Sequence, residues 1–384
     1  MTDDPPPNPA LLPAGVCDLL PPEAETEAAS VEAIMAIFAA HGYQRVKPPL
    51  LEFADGLLAG TGAAMAEQTF RLMDPDSHRL MGLRADMTPQ VARIATTRLA
   101  HLPRPLRLSY AGQSLRMRAA GLAAERQIAQ AGIELIGHDS PEADAEIVQL
   151  GTEALAALGL TRISFDLTLP PLVPTLLQEA GLPAQSRAAL GRALDRKDAA
   201  AVAEHGGSLA GTLTDLLLAA GPADRALDAL FSAALPPGTR VLADRLAATV
   251  AAIRARVPAL RLTVDPVEFR GLRYHTGVTL TVFAPGRHEE LARGGRYLCG
   301  EAGEPATGLT LYPDAVLRAA PPRAPRPRIF LPAGTDPTRA AALRAEGYAT
   351  VAALDPGADP AGEARRLACG FFLTASGPVA LTAE

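Results

Sequence analysis

Apolar and polar positions follow two rhythms along this chain. From Pro21 the residues Val31, Ile34, Met35 and Phe38 recur at helical spacing behind the early acids Glu23, Glu25 and Glu27, and Gly42 marks a stop. "LRADMTPQVARIA" (83–95) predicts a second helix on Val91, Ile94 and Ala95, with Thr88 as N-cap and Pro89 in the first helical position. "SPEADAEIVQLGTEALAALGL" opens a third at Ser140, Pro141 and Glu142, and Ile147, Leu150, Ala154 and Leu158 form its stripe. The strand rhythm is equally plain. "PLRLSYAGQSLRMR" alternates Leu106, Leu108 and Tyr110 against polar neighbours, and "ERQIAQAGIELIG" is its predicted antiparallel partner across "AAGLAA". "RISFDLTLP" turns Ile163, Phe165 and Leu167 one way. In "YQRVKPPLLEF" two prolines remove ladder donors, so this short strand ends there or lies at an edge.

These elements predict an α+β fold, an antiparallel sheet flanked by helices. Residues 1–10 form a disordered lead and 11–320 the core, within which 170–256 is a helical insertion of several short, alanine- and leucine-rich helices. Strands return in "LRLTVDPVEF", "YHTGVTLTVFAPG" and "EELARGGRYLCG". "PPRAPRPR" (321–328) is a linker with nothing to bury. Beyond it, 329–384 reads as a small β-α-β-α-β module with little core of its own.

Composition narrows the function classes. The 384 residues are 48% apolar but only 4% aromatic, and the net charge of −6 argues against broad capture of nucleic acid. Cys17, Cys299 and Cys369 are far apart with no CxxC pair, as in reduced cytosolic proteins, and the scattered histidines offer no metal site. The acidic, proline-rich start is unlike a signal peptide, and no apolar run reaches the ~20 residues that span a bilayer. A cytoplasmic protein with no membrane contact, metal or cofactor is expected.

Candidate chemistry sits in three places. A period of two puts Arg126, Gln130 and Glu134 on one strand face, with the outer two about 26 Å apart. A glutamate beside a glutamine amide suits an ammonium group, and an arginine further along suits a carboxylate or phosphate; a solvated strand face is the plainer alternative. "RGLRYHTG" (270–277) gathers Arg270, Tyr274 and His275 around glycines, and the paired glycines of "RGGRY" (293–297) suggest close backbone approach, as under a flat ligand. Each alone is a weak signal; His275 by itself reads as a structural histidine, and Arg84 and Asp86 either hold a small charged molecule or only fasten a loop.

In order and spacing these segments resemble the class II aminoacyl-tRNA synthetase core, in its histidyl-tRNA synthetase branch. "HGYQRVKPPLLEF" looks like motif 1, the dimer-forming helix and strand. "YAGQSLRMRAAGLAAERQIAQAGIELIG" looks like motif 2, "LRADMTPQ" like the amino-acid-binding loop, and "RGLRYHTG" with "ARGGRY" like the two histidine signatures. The resemblance implies that Asp86, Thr88, Gln130, Glu134, Arg270 and Tyr274 stand at histidine-contact positions, with His275 where tyrosine is usual. It leaves Arg116 and Arg126 as an anion-binding remnant.

The departures concern ATP. Arg118 stands where a glutamate helps fix the adenosine end, and Arg273 and Leu298 replace two further acids. "TGLTLYPDAVL" puts Ala315 at the motif 3 position whose arginine clamps the terminal phosphates. Losing such a clamp costs several kcal/mol of transition-state stabilisation. The module at 329–384 is also too short for a full anticodon-binding domain, and it carries Asp336, Asp355, Asp359 and Glu363. This combination is similar to the regulatory subunits of ATP phosphoribosyltransferase. The resemblance implies a chain without catalysis, dimeric through residues 31–53, joined to a short-form catalytic subunit in the first step of histidine biosynthesis, with L-histidine as feedback effector. An active histidyl-tRNA synthetase and a stand-alone amino-acid-sensing pseudo-synthetase are the alternatives; the first requires ATP-driven histidine exchange, and the second the absence of the catalytic partner.

Overall fold

The structure is a computed structural model that describes residues 10–119, 125–268, 274–357 and 359–381. Nearly all of the expected lead, and Arg270 and Arg273, lie outside them. The chain divides between Pro321 and Pro322 into two compact units.

The first unit opens on α1 (Glu23–Ala40), which buries Ile34, Met35 and Phe38. Strands β1 (Gln44–Arg45) and β2 (Leu51–Phe53) stand on either side of the proline pair. They enter different sheets, because neither Pro48 nor Pro49 can donate to a ladder. Next come α2 (Ala54–Leu57), a 3-10 turn at Gly60–Met65, β3 (Arg71–Met73) and β4 (Leu80–Leu83). The small antiparallel sheet β2-β4-β3 was not among the sequence expectations.

Helix α3 (Thr88–Thr96) precedes the long antiparallel pair β5 (Leu106–Leu115) and β6 (Gln127–Ile136), both where the alternation predicts them. Helix α4 (Pro141–Ala157) is capped by Ser140, whose hydroxyl oxygen accepts from the Ala143 amide, and β7 (Ser164–Thr168) follows. The helical stretch holds α5 (Leu172–Glu179), α6 (Ala184–Asp195), α7 (Ala199–His205) and α8 (Ala210–Ala219). A two-residue β8 (Gly221–Pro222) leads into α9 (Ala223–Ser232) and α10 (Pro237–Arg256). At 20 residues α10 is not short. Its Leu246, Val250 and Ile253 join the same core as α1, α4 and the sheet, so this stretch shares the main core. The unit closes with β9 (Arg261–Asp265), β10 (His275–Phe283), β11 (Ala292–Cys299), β12 (Glu304–Leu311) and α11 (Pro313–Ala319).

Nine strands form one sheet in the order β1-β5-β6-β12-β11-β10-β7-β9-β8, antiparallel except for the pairs β1·β5 and β7·β9. Strand parity sorts its residues. On β6, Ala131, Ile133 and Leu135 pack toward α1 and α4. The alternate residues of β5 and β6, including Tyr110 and Ile136, join Met87, Val91 and Ala95 on the α3 side. Both faces of β6 are therefore covered, and polar groups placed there are cut off from water.

In the second unit β13 (Arg328–Leu331), α12 (Pro337–Ala345), β14 (Ala349–Ala352), α13 (Pro360–Arg366) and β15 (Phe371–Thr374) keep the expected alternation. A further strand, β16 (Gly377–Ala380), pairs antiparallel to β15, and the sheet order is β14-β13-β15-β16.

Candidate functional site

The α3 side of the large sheet brings four of the sequence-predicted residues together. Asp86 sits just before α3; its Oδ1 accepts the Thr88 amide at 2.8 Å, and its Oδ2 accepts the Gln130 side-chain amide at 3.0 Å. Thr88 is not the N-cap. It is the first helical residue, and its side chain makes no capping bond. With its amide already held by Asp86, its hydroxyl is free to donate to Glu134 Oε1 at 3.0 Å. Gln130 Oε1 in turn accepts from the Met87 amide and from Ser114. Gln130, Asp86, Thr88 and Glu134 thus form one continuous chain of contacts. Arg84 fastens the loop: its guanidinium donates to the Gln113 carbonyl at 2.8 Å and to that of Pro48 at 2.9 Å.

Glu134 is the centre of the arrangement, with 1% of its surface exposed. Tyr297 donates to its Oε2 at 2.9 Å, and Tyr110 to its Oε1 at 3.3 Å. Its neighbours in register on β12 and β11 are Gly308 and Gly295. A Cβ at Gly308 would lie 1.9 Å from Glu134 Oε2 and 2.7 Å from the Ile133 carbonyl, so only glycine leaves room for the carboxylate. At Gly295 (φ +144°) a Cβ would meet β10 backbone and the His275 ring. The paired glycines of β11 therefore admit protein atoms, whereas the sequence pattern suggested a flat ligand.

Burial pushes the Glu134 carboxyl up to about 8, with Asp86 reinforcing the rise and hydrogen bonds from Tyr297, Thr88 and Tyr110 opposing it. Among the described residues no arginine, lysine or histidine pairs with Glu134 or Asp86. A buried carboxylate without a cation is costly. When ionised, the arrangement can accept one, as an ammonium or an N–H bearing ring.

The remaining expected residues are dispersed. Tyr274 lines a narrow opening with Thr61, Met65, Asp86, Thr88 and Pro89, and its ring lies 4.0 Å from that of the buried His275. That opening holds about 20 Å³, enough for one water and too little for an amino acid. Arg126 does not join Gln130 and Glu134. It precedes β6, donates to the Arg116 and Ala14 carbonyls and stacks 5.0 Å from the Phe70 ring centre. Arg116 bonds weakly to the Ala85 carbonyl. Arg270 is outside the described residues. Sequence reasoning overlooked Tyr110, Tyr297 and Thr310; the Tyr110 hydroxyl lies 2.7 Å from that of Thr310. Strand parity would have found the first two, since Tyr110 shares a face with Leu106 and Leu108.

On the nucleotide side, α11 presents no cation at the motif 3 position. Ala315 on α11 is 3% exposed, and the nearby Arg318 is engaged by Glu289 and by Glu125. A larger groove of about 560 Å³ lies between α5 and α6, lined by Val173, Leu177, Arg187 and Arg192 among others. It contains none of the residues singled out by sequence.

Comparison with known proteins identifies the family. A family model described as histidyl-tRNA synthetase matches residues 15–316. The ATP phosphoribosyltransferase regulatory subunit of Gluconobacter oxydans is 57% identical over 94% of this chain and 95% of its own length. That of Paramagnetospirillum magneticum is 54% identical over 97% and 98%. Among solved structures, an ATP phosphoribosyltransferase regulatory subunit/histidyl-tRNA synthetase from Bacillus halodurans superposes with a TM-score of 0.78 at 23% identity, covering 94% of this chain and 97% of that one. A histidyl-tRNA synthetase from a Nostoc species gives 0.77 at 18%, covering 95% and 91%. These two establish the class II synthetase-like fold, and the near-full-length identities establish the rest: this chain belongs to the family of ATP phosphoribosyltransferase regulatory subunits.

Proposed function

We propose that this chain is the non-catalytic, histidine-sensing subunit of an ATP phosphoribosyltransferase, working with a short-form catalytic subunit in the first step of L-histidine biosynthesis. The observation that carries this reading is an asymmetry within one cleft. Glu134 is buried and Asp86 half-buried, and neither has a basic partner among the described residues, while α11 offers Ala315 where a triphosphate would need a cation. Such a cleft can hold an amino acid and cannot drive its adenylation.

Histidine supplies what the pocket lacks. Its ammonium meets Asp86 and the Thr88–Glu134 pair, and Gln130 holds Asp86 in place; Tyr274 and His275 close the remaining sides, and Arg270, outside the described residues, is a further contact that the resemblance implies. Entry requires Tyr274 or the Gly60–Met65 turn to withdraw, because the present opening is about 20 Å³. An effector that binds only an opened form draws the population toward that form. If the catalytic subunit binds the two forms unequally, histidine becomes a feedback inhibitor, with coupling set by that difference.

The reading further includes a homodimer through residues 31–53. Leu50 is 49% exposed and Phe53 38%, and they adjoin exposed Leu72, Met73 and Leu80 of the small sheet. No nucleic-acid partner is required, consistent with the net charge of −6. No helix among the described residues is long and apolar enough to cross a membrane, and we place the chain in the cytoplasm. The reading needs no cofactor or metal.

Co-purification tests it. The full chain, co-expressed with a short-form phosphoribosyltransferase, should elute as a stable complex at constant ratio. Separate elution at micromolar concentration, together with ATP–pyrophosphate exchange driven by histidine, would favour the synthetase instead.

A further inference from the structure

The sheet that presents Glu134 also carries a cation whose role nothing above assigns. Arg293 of β11 is on the same face as Gly295 and Tyr297, two and four residues along the strand. It stands in register with Thr310 of β12, which is in register with Gly132 of β6. Relative to Glu134 it is therefore two strands across and one same-face step along. The Cα separation is roughly 12 Å from strand spacing and rise. Once the cleft opens, the charged ends of the two side chains, standing side by side on that face, can take the two ends of a zwitterion.

Its surroundings point the same way. Arg293 Nε is buried and has no hydrogen-bond partner in the protein. Its Nη1 lies 3.8 Å from Glu290, beyond hydrogen-bond range, and both side chains are more than a third exposed, so this pair is weak. Tyr274 lies within reach of the charges of both Arg293 and Asp86, and Tyr312 within reach of Arg293, Arg116, Asp86 and Glu290. Arg126 is committed to two carbonyls, and Arg116 already spends its Nε on that of Ala85. Arg293 stands on the Glu134 face with its donor fork unspent.

We propose that Arg293 binds the carboxylate of the effector amino acid, so that the cleft recognises a zwitterion with Glu134 and Asp86 at one end and Arg293 at the other. The inference rests on the reading that histidine occupies this cleft. It adds what makes the site specific: an amine or amino alcohol with the same ring satisfies the acids and leaves the guanidinium unpaired. A planar guanidinium matches a carboxylate with two parallel N–H donors, which a lysine cannot reproduce.

The test is calorimetric titration of the full chain with L-histidine and with L-histidinol, in which a hydroxymethyl group replaces the carboxylate. Wild type should bind histidine at least tenfold more tightly than histidinol. Arg293→Gln should weaken histidine about tenfold and leave histidinol within twofold, collapsing the ratio, and Arg293→Lys should recover only part of it. Unchanged circular dichroism would exclude misfolding as the cause. A ratio unmoved by Arg293→Gln, or an equal loss for both ligands, overturns the inference while leaving histidine binding intact. A wild-type chain that binds neither ligand would end the pocket reading and this inference together.

Discussion

Replacing Glu134 by glutamine should change how stability depends on pH, and by an amount the structure specifies. Burial lifts this carboxyl from 4.5 to about 8 in the folded chain. The folded state therefore binds the proton more tightly than the unfolded chain does. Stability from this group is fully present below pH 4.5, falls as pH rises through the window from 4.5 to 8, and levels above it. Between pH 5 and 8.5 the loss is ~4 kcal/mol, at 1.36 kcal/mol per pH unit over most of the window. Glutamine keeps the shape and cannot ionise, so Glu134→Gln should be flatter than wild type by that amount. Urea unfolding at several pH values, followed by tyrosine near-ultraviolet dichroism, reads it directly, because the chain has no tryptophan and Tyr110 and Tyr297 are both buried beside Glu134. The same proton governs ligand capture. About a tenth of Glu134 is ionised at pH 7 and half at pH 8, so histidine affinity should rise about fivefold across that unit, with proton release into the buffer. Parallel stability curves for the two proteins, or an affinity flat from pH 7 to 8, would refute the reasoning.

Other sites give independent checks. Gly308→Ala should destabilise the chain by about 2–4 kcal/mol and abolish histidine binding, since the new methyl meets Glu134 and the Ile133 carbonyl; thermal denaturation and calorimetry measure the two effects. Asp144→Ala removes the buried partner of Arg296, the two side chains lying 2.8 Å apart and 2% and 6% exposed. Arg296 keeps Asp139 at 3.0 Å and the His138 and Ser140 carbonyls, so the loss should be ~1.5–3 kcal/mol in urea unfolding. Phe53→Asp should shift the sedimenting species from dimer to monomer without altering the far-ultraviolet spectrum; a dimer of undiminished affinity would move the interface elsewhere.

The sequence was legible where one physical rule acts alone. Alternation placed β5, β6 and β7, and Ser140 with Pro141 announced α4, because each depends on parity or on a local cap. Where two roles compete, local reading failed. Thr88 has the form of an N-cap, yet Asp86 two residues earlier takes its amide, and the hydroxyl turns to a strand residue 46 positions away. The β3–β4 hairpin escaped notice because Leu72, Met73 and Leu80 are exposed and show no alternation; its turn at Asp74, whose carboxylate accepts from the Ser77 amide and hydroxyl, was the available signal. Helix α10 buries residues against several neighbours, which blurs any single stripe. The site itself was half visible. Gln130 and Glu134 share a face by parity, while Gly308, which makes room beside Glu134, gains its meaning only from the register of β12 on β6.

The central claim is that this cleft has given up nucleotide activation and now controls a partner enzyme. The rate of phosphoribosyl transfer to ATP by a short-form catalytic subunit, titrated with this chain, tests that most directly. The rate should rise from near zero, saturate at a fixed ratio of subunits and fall when histidine is added. A rate that is the same at every ratio of the two chains would contradict the account.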